Sequence, residues 1–413
     1  MLRKYSVILS VLLLTALFVG CSDRGTDVTK TDYSRFDVPL GNDGGHVVTD
    51  ELAFTMFKSH AIYYRIYLPP NYANYGEGAP YPVLYLLSPF RGDAFYYFNH
   101  GLSAVANRMI AEGEIKNMII VCIDGSAGFG GVFYGNNYAG GKYAKALGDI
   151  EGDPVSGTFL DYIKIILNTL DNRENRAISG FGMGGYGAMR IATEYSENFG
   201  SVSACAAPLD FDGANGSGGF IPLFQQIIDE LDTEGQGYIS DSLYKAMDTA
   251  YDYPVRSMMM AAACAFSPHY FYIDPISYNP AVSADTIILD DTLTAFERGA
   301  GLYFHLPFDS AGTPRDTVWN RWLENNLENI LAAHPDALDN TQVQLFTLSD
   351  GLYGFNEQTE SFAAYLSTVL GTTITPYEYS GYPGYPANEG RFVYDILPAI
   401  LKFHSDNFVL PEE

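Results

Sequence analysis

The feature that most constrains the fold is a run of glycines between an apolar segment and a helix-forming segment. Residues 176–190 read RAISGFGMGGYGAMR, with five glycines between positions 180 and 187. The apolar residues before this run predict a buried strand, and the segment after it predicts a helix. Glycine permits positive φ and close backbone approach, so the run predicts a sharp turn from strand to helix.

The remaining chain alternates between predicted strands and predicted helices. Continuous apolar runs at 81–87 and 117–124 are typical of central parallel strands, which are buried on both faces. Further strands are predicted at 61–68, 200–206, 343–348 and 374–379, and helices at 102–115, 161–170, 318–323, 357–370 and 392–406. This alternation predicts an α/β fold, with a mainly parallel sheet and helices on both faces.

The glycine turn and its flanks resemble the esterase D / feruloyl-esterase-like group of α/β-hydrolases. An Arg-Ala-Ile strand at 176–178, a G-x-x-M-G-G turn and a Tyr-Gly-Ala helix at 186–188 match that group. The phrases at 67–72, 82–87 and 160–163 match it in the same order. The resemblance implies an α/β-hydrolase fold whose G-x-S-x-G elbow carries a nucleophilic serine, followed by an acid and a histidine.

None of the three catalytic positions implied by the resemblance carries the expected residue. The nucleophile position is Gly182, the acid position is Gly351 with Asp350 beside it, and the histidine position is Asn388. Asp350 is a potential substitute acid, although a solvated aspartate in a turn is the simpler interpretation. His404 lies well inside the closing helix and is expected on its surface. The sequence therefore predicts an esterase homologue without a catalytic triad.

The loop that supplies the oxyanion hole in this group is altered as well. Pro89 stands where the resemblance implies a His-Gly-Gly-type turn, and proline has no backbone N–H. The amides of Phe90 and Met183 remain candidates for part of an anion pocket. Tyr382 and Tyr385 are candidate aromatic contacts to a ligand, which we expect to be a carbohydrate or a phenolic ester.

The first 21 residues predict a bacterial lipoprotein signal. Basic Arg3 and Lys4 precede an apolar run that is short for a membrane span, and Gly20 precedes Cys21. We expect residues 1–20 to be removed and Cys21 to be acylated, which anchors the protein in the bacterial cell envelope at the outer membrane or periplasmic face. An ordinary secretory signal with an incidental cysteine is the alternative. The predicted domains are a tether at 21–51 and an esterase-like α/β-hydrolase domain at 52–413 with a cap-like insertion at about 209–340.

Charge and composition limit the partners. The formal net charge of −26 excludes a nucleic-acid partner, since phosphates require lysine and arginine. No metal-binding spacing or cofactor motif is present, and the sequence does not define an oligomeric state.

Two alternatives to a ligand-binding pseudoenzyme stay open. One is an active carboxylic-ester hydrolase with a rewired site, using Ser88 or Ser179, Asp350, and His100 or His305. The other is a structural envelope lipoprotein that contacts a protein partner.

Overall fold

The structure is a computed structural model. It describes residues 45–53, 61–73, 78–137, 141–150, 158–213, 218–233, 254–268, 304–309, 311–348, 352–379 and 389–411.

The strands of these segments are β1 His46–Ala53, β2 Ala61–Leu68, β3 Val83–Leu87, β4 Ile119–Ile123, β5 Asn136–Asn137, β6 Gly141–Lys142, β7 Arg176–Phe181, β8 Ser201–Cys205, β9 Gln342–Leu348 and β10 Tyr377–Tyr379. The helices are α1 Tyr96–Asn99, α2 Leu102–Ala111, α3 Ala127–Gly130, α4 Tyr143–Gly148, α5 Phe159–Ile166, α6 Met183–Glu194, α7 Ile221–Thr233, α8 Pro254–Phe266, α9 Asp316–Leu323, α10 Leu327–Ala333, α11 Phe355–Leu370 and α12 Glu389–Asn407.

The described strands form one eight-stranded sheet and a separate short ribbon of β5 and β6. The strand order in the sheet is β1-β2-β4-β3-β7-β8-β9-β10. β1 and β2 pair antiparallel with their neighbours, whereas β4, β3, β7, β8, β9 and β10 are parallel. The predicted mainly parallel α/β architecture is therefore confirmed.

The sheet is buried on both faces because its central strands are apolar throughout. In β4, Ile119, Val121 and Ile123 belong to one core cluster, and Ile120 and Cys122 to the other. This alternation follows from the period of two along a strand. Side chains of α2 and α12 pack into the smaller cluster, and side chains of α4, α5, α6 and α8 into the larger one. The parallel strands thus hold their carboxyl ends at one edge, which is where the glycine turn lies.

Most predicted elements are present, and one boundary was wrong. The predicted tether at 21–51 extends too far, because His46–Ala53 forms β1 and pairs with β2 along its whole length. The sequence of β1 is too polar to indicate a strand by itself. Its hydrogen-bond partners come from β2, which only the tertiary structure supplies.

Candidate functional site

Gly182 occupies the sharp turn between β7 and α6. Its backbone has φ +55° and ψ −119°, and its amide donates to the carbonyl of Cys205 at 2.8 Å. This bond holds the turn against the end of β8, at the carboxyl edge of the parallel strands. The predicted position of Gly182 at a strand-to-helix turn above the sheet is confirmed.

The glycines around this turn are favoured at their positions for different physical reasons. A Cβ on Gly180 would lie 2.2 Å from the carbonyl carbon of Gly184, and a Cβ on Gly184 would lie 2.1 Å from the carbonyl oxygen of Leu87. Both positions therefore require glycine for close backbone packing. A Cβ on Gly182 would meet only the Cβ of Pro89, at 3.9 Å. Position 182 has space for a side chain, and only its positive φ favours glycine.

A cavity of about 280 Å³ opens beside Gly182. Its wall is mainly aromatic and apolar, and it is formed by Pro89, Phe90, Arg91, Gly92, Tyr96, Phe181, Gly182, Met183, Ala206, Pro254, Met258, Leu348, Tyr353 and Phe355. Pro254 and Met258 come from α8, inside the segment predicted to be an insertion. Among these residues there is no serine, cysteine, histidine, aspartate or glutamate, so the described wall offers neither a triad nucleophile nor its base.

Two backbone donors lie on the cavity wall. In the described part of the chain, neither the Phe90 amide nor the Met183 amide has a hydrogen-bond acceptor. Met183 is the first residue of α6, whose N-terminal amides are not satisfied within the helix. The structure thus brings together the two residues that the sequence suggested for an anion pocket.

Two buried tyrosines fix the loops that carry these donors. The Tyr97 hydroxyl donates to the Leu87 carbonyl at 2.8 Å and accepts from the Phe181 amide at 3.0 Å. The Tyr134 hydroxyl donates to the Ser88 carbonyl at 3.0 Å. Burial raises the pKa of both phenols well above the usual value, so they stay neutral donors.

Backbone strain is concentrated at the cavity. Six residues other than glycine have positive φ in the described segments, and three of them line this cavity: Arg91 at +62°, Ala206 at +42° and Tyr353 at +65°. Such conformations cost about 1–3 kcal/mol each and collect at ligand-binding and catalytic sites. Half of these residues therefore lie at the cavity, which makes it the candidate functional region of the fold.

The serines suggested for a rewired hydrolase have structural roles. Ser179 is fully buried, as expected, and its Oγ lies 2.7 Å from the Oγ of Ser203. Ser88 is also buried, and its Oγ accepts from the Gly125 amide at 2.8 Å. Neither serine is on the cavity wall.

The histidines suggested as bases are also away from the wall. The Nδ1 atom of His100 lies 2.7 Å from the carbonyl oxygen of Tyr96, so Nδ1 carries the proton and donates. The His100 ring packs behind Tyr96, with ring centroids 4.6 Å apart. His305 is fully buried, and its amide donates to the Ser267 carbonyl at 2.9 Å.

His404 was placed wrongly on the surface of the closing helix. It is fully buried, with Nδ1 2.8 Å from the Ser201 Oγ and Nε2 2.9 Å from the Ser203 Oγ. The helix α12 packs this face against the sheet, and the serines of β8 satisfy both ring nitrogens. Burial lowers the pKa of His404 to about 3, so the ring is neutral at ordinary pH.

The sequence also suggested residues that lie outside the described segments: Cys21, Asp350, Gly351, Tyr382, Tyr385 and Asn388.

The sequence analysis did not identify several residues of the cavity wall, notably Arg91, Phe181, Tyr353 and Phe355. Arg91 follows Phe90 in the altered oxyanion loop. Tyr353 and Phe355 lie close to Gly351, in a segment where the sequence analysis considered only the position of the catalytic acid. Their proximity in sequence to the positions that match the esterase group was the signal that could have identified them.

In the described part of the chain, no group of three or more histidine, cysteine or acidic side chains is arranged to hold a metal ion.

The sheet order, the sharp turn at Gly182 and the cavity beside it define an α/β-hydrolase fold. The protein family described as "Putative esterase" matches residues 59–251, which include the turn. Two esterases of Mycobacterium tuberculosis, Esterase MT1326 and Esterase Rv1288, are each 29% identical over 149 residues. That alignment covers 35% of this chain and only 28% of either relative.

A solved structure of a ferulic acid esterase superposes with a TM-score of 0.51 at 17% identity, covering 89% of this chain and 99% of that one. The chain therefore has an α/β-hydrolase fold and is homologous to the esterase family over residues 59–251. No helix in the described segments is long and apolar enough to cross a membrane.

Proposed function

We propose that the protein is a non-hydrolytic esterase homologue that binds a small ligand in the cavity beside Gly182. The observation that carries this proposal is the glycine at the turn where the fold presents its nucleophile. Acyl transfer in this fold begins with a side-chain oxygen attacking a carbonyl carbon, and glycine has no such atom. The turn keeps its shape and its space for a side chain, but not the chemistry.

The character of the wall supports binding without turnover. The described wall has aromatic rings, two methionines and free backbone donors, but no histidine or carboxylate to move a proton. Pockets of this kind, mostly apolar with a few convergent polar groups, are typical ligand sites. A phenolic ester or a sugar ring are the ligand classes that the aromatic wall suits.

We further propose that the protein is held at the membrane of a bacterial cell envelope through acylated Cys21. The support is the sequence of the first 21 residues, in which a basic start, a short apolar run and a small residue precede the cysteine. A tether after the anchor, ending before β1, would let the folded domain reach ligands near the membrane surface.

The test of the catalytic part is steady-state hydrolysis of a nitrophenyl acetate series. We expect wild type to show only a weak background. Gly182→Ser should raise kcat/KM by less than about tenfold, because triad members act as a unit. Gly182→Ser combined with Gly351→Asp and Asn388→His is the smallest set that restores all three side-chain types, while Pro89 has no backbone N–H to add to the oxyanion site.

The matched control for the series is Gly371→Ser, which places a serine at another positive-φ glycine with no neighbour within 4 Å. A wild-type rate that is clearly enzymatic, and that a serine-directed phosphonate abolishes, would overturn the proposal. It would then favour the rewired hydrolase.

A further inference from the structure

Resting on the proposed lipid anchor, we infer that a surface patch of Tyr63, Arg65 and Phe95 contacts a zwitterionic phospholipid surface. These three residues form what we call the edge patch. The phosphate of a lipid head group would accept from Arg65, and the two aromatic rings would lie among the head groups. None of the three residues is on the wall of the cavity beside Gly182, so the patch is a separate feature of the domain.

The edge patch exposes two aromatic rings on one part of the surface. Tyr63 is 51% exposed and Phe95 is 39% exposed. Tyr63 and Arg65 are two residues apart in β2, so they project from the same face of the strand. The Arg65 Cζ lies 4.0 Å from the centroid of the Phe95 ring, which joins the three side chains into one surface. Tyrosine is enriched at membrane–water interfaces, and phenylalanine occurs on the apolar side of interfacial segments.

Arg65 presents a positive charge that the described part of the chain does not pair. Its guanidinium lies over two rings, with Cζ 4.0 Å from the Phe95 centroid and 5.1 Å from the Phe98 centroid. Its Nε is buried without a hydrogen-bond partner, and no carboxylate of the described segments forms an ion pair with it. A guanidinium stacked on aromatic rings keeps its N–H groups in its own plane, where they match the oxygens of a phosphate.

Two carboxylates beside the patch disfavour an anionic membrane. The Asp124 amide donates to the Tyr63 carbonyl at 2.9 Å. Asp93 lies beside Phe95, whose amide donates to the Asp93 Oδ1 at 2.8 Å. These acids, and the net charge of −26 on the whole chain, repel an anionic lipid. A zwitterionic head group offers a phosphate to Arg65 and an ammonium group to the carboxylates.

The chain that leads from the proposed anchor enters the domain close to this patch. β1 begins at His46, and Thr49 in β1 is the pairing partner of Arg65 in β2. Three residues of strand and one strand spacing put the start of β1 about 11 Å from Arg65, whereas β10 at the opposite edge of the sheet is about 33 Å from β1. The chain between Cys21 and His46 spans at most about 90 Å, so an anchored domain stays near the membrane and a weak contact is enough to orient it.

The position of the patch in the sheet also determines which part of the domain faces the lipid. β2 is antiparallel to β4, and Tyr64 pairs with Ile123, the last residue of β4. Tyr63 therefore lies at the carboxyl edge of the parallel strands, which is the edge that carries the turn at Gly182. A domain that rests on the edge patch holds its cavity at the membrane surface.

The test is flotation of the protein with vesicles of phosphatidylcholine and phosphatidylethanolamine. It uses the Cys21→Ala protein from the soluble periplasmic fraction, after its mass has confirmed removal of residues 1–20, so that no acyl chain contributes. At about 5 mM lipid, a partition constant of about 10² M⁻¹, a hundredfold below that of one myristoyl chain, still floats about a third of the protein. We expect binding at or above this level, and at least about threefold weaker binding when half of the lipid is phosphatidylglycerol.

Two variants and two matched controls locate the contact. Tyr63→Ser and Arg65→Gln should each lower the partition constant at least about fivefold. Tyr377→Ser removes a 52% exposed ring from β10 at the opposite edge of the sheet, and Arg108→Gln changes an exposed arginine on α2; both should bind as the parent does. Equal losses for Tyr63→Ser and Tyr377→Ser would overturn the inference, and so would a parent that does not bind the vesicles. If Arg65→Gln does not fold, the two tyrosine variants decide.

Failure of the anchor is read separately, from the mass of the wild-type protein, which should carry acyl chains at Cys21. If Cys21 is unmodified, the anchor proposal fails. The soluble wild type then replaces the variant in the flotation assay, and its binding decides whether the edge patch contacts lipid. Tighter binding to the vesicles with phosphatidylglycerol would overturn the assignment of a zwitterionic surface.

Discussion

The buried histidine of the closing helix makes a quantitative prediction about stability and pH. His404 is neutral in the folded protein, with a pKa of about 3, whereas an unfolded histidine has a pKa of 6.5. Below pH 6.5 the unfolded chain therefore takes up a proton at this position and the folded chain does not. A lowered folded pKa means that protonation favours unfolding, so stability falls as the pH is lowered from 6.5 towards 3.

The magnitude follows from the two pKa values. Each pH unit in this window costs about 1.4 kcal/mol, and the loss between pH 6.5 and 4.5 is about 2 kcal/mol from this residue. A neutral imidazole has one donor and one acceptor, so one of the two serines donates to the ring and the other accepts from it. A protonated ring has two donors, and one of these bonds must then reorganise.

The perturbation is His404→Gln, which removes the titrating group and keeps a donor and an acceptor. The variant should be less stable by about 1–3 kcal/mol at pH 7.5, because one serine loses its partner. Its urea-unfolding free energy should then fall less steeply than that of wild type, so that the difference shrinks by about 2 kcal/mol at pH 4.5. Exposed His334→Gln is the control and should give a curve parallel to wild type. Parallel curves for wild type and His404→Gln over this range would refute the reasoning.

Three further predictions concern the turn and the anchor. Gly184→Ala should lower the unfolding free energy by about 3 kcal/mol, because its Cβ would lie 2.1 Å from the Leu87 carbonyl oxygen. Gly371→Ala has no neighbour within 4 Å and should lower it by only about 1 kcal/mol. Equal losses in urea unfolding would contradict the packing argument. Gly182→Ser should fold and form no covalent adduct with a fluorophosphonate probe, as mass spectrometry would show, since no base lies on the described wall; stoichiometric labelling would contradict this. Cys21→Ala should move the protein from the membrane fraction to the soluble periplasmic fraction, and an unmodified, freely soluble wild type would refute the anchor.

The sequence predicted the sheet well because central parallel strands are apolar at every position. β2 was predicted to the residue, at 61–68, and β9 to within one residue of 343–348. The turn was predictable because Gly180 and Gly184 are required by contacts between neighbouring backbone segments. β1 was missed since its pattern is weak and its pairing depends on β2.

The cavity was less predictable because its wall comes from distant segments. Phe90 and Met183 were found from their positions in motifs, but nothing local shows that Arg91 and Tyr353 share a wall with them. His404 was misjudged for a similar reason. Helical spacing gives its position on α12, whereas its burial depends on two serines of β8, about 200 residues earlier in the chain.

The backbone conformation at position 182 makes the exchange of serine for glycine energetically easier than the reverse exchange. With φ at +55° and ψ at −119°, a serine there must hold a sparsely populated conformation that costs an L-residue about 1–3 kcal/mol, and a glycine holds it without that steric cost. A change from serine to glycine in this fold is downhill in backbone energy, while the reverse change must restore the strain before any activity returns. The backbone energy at this turn therefore opposes a return from glycine to serine.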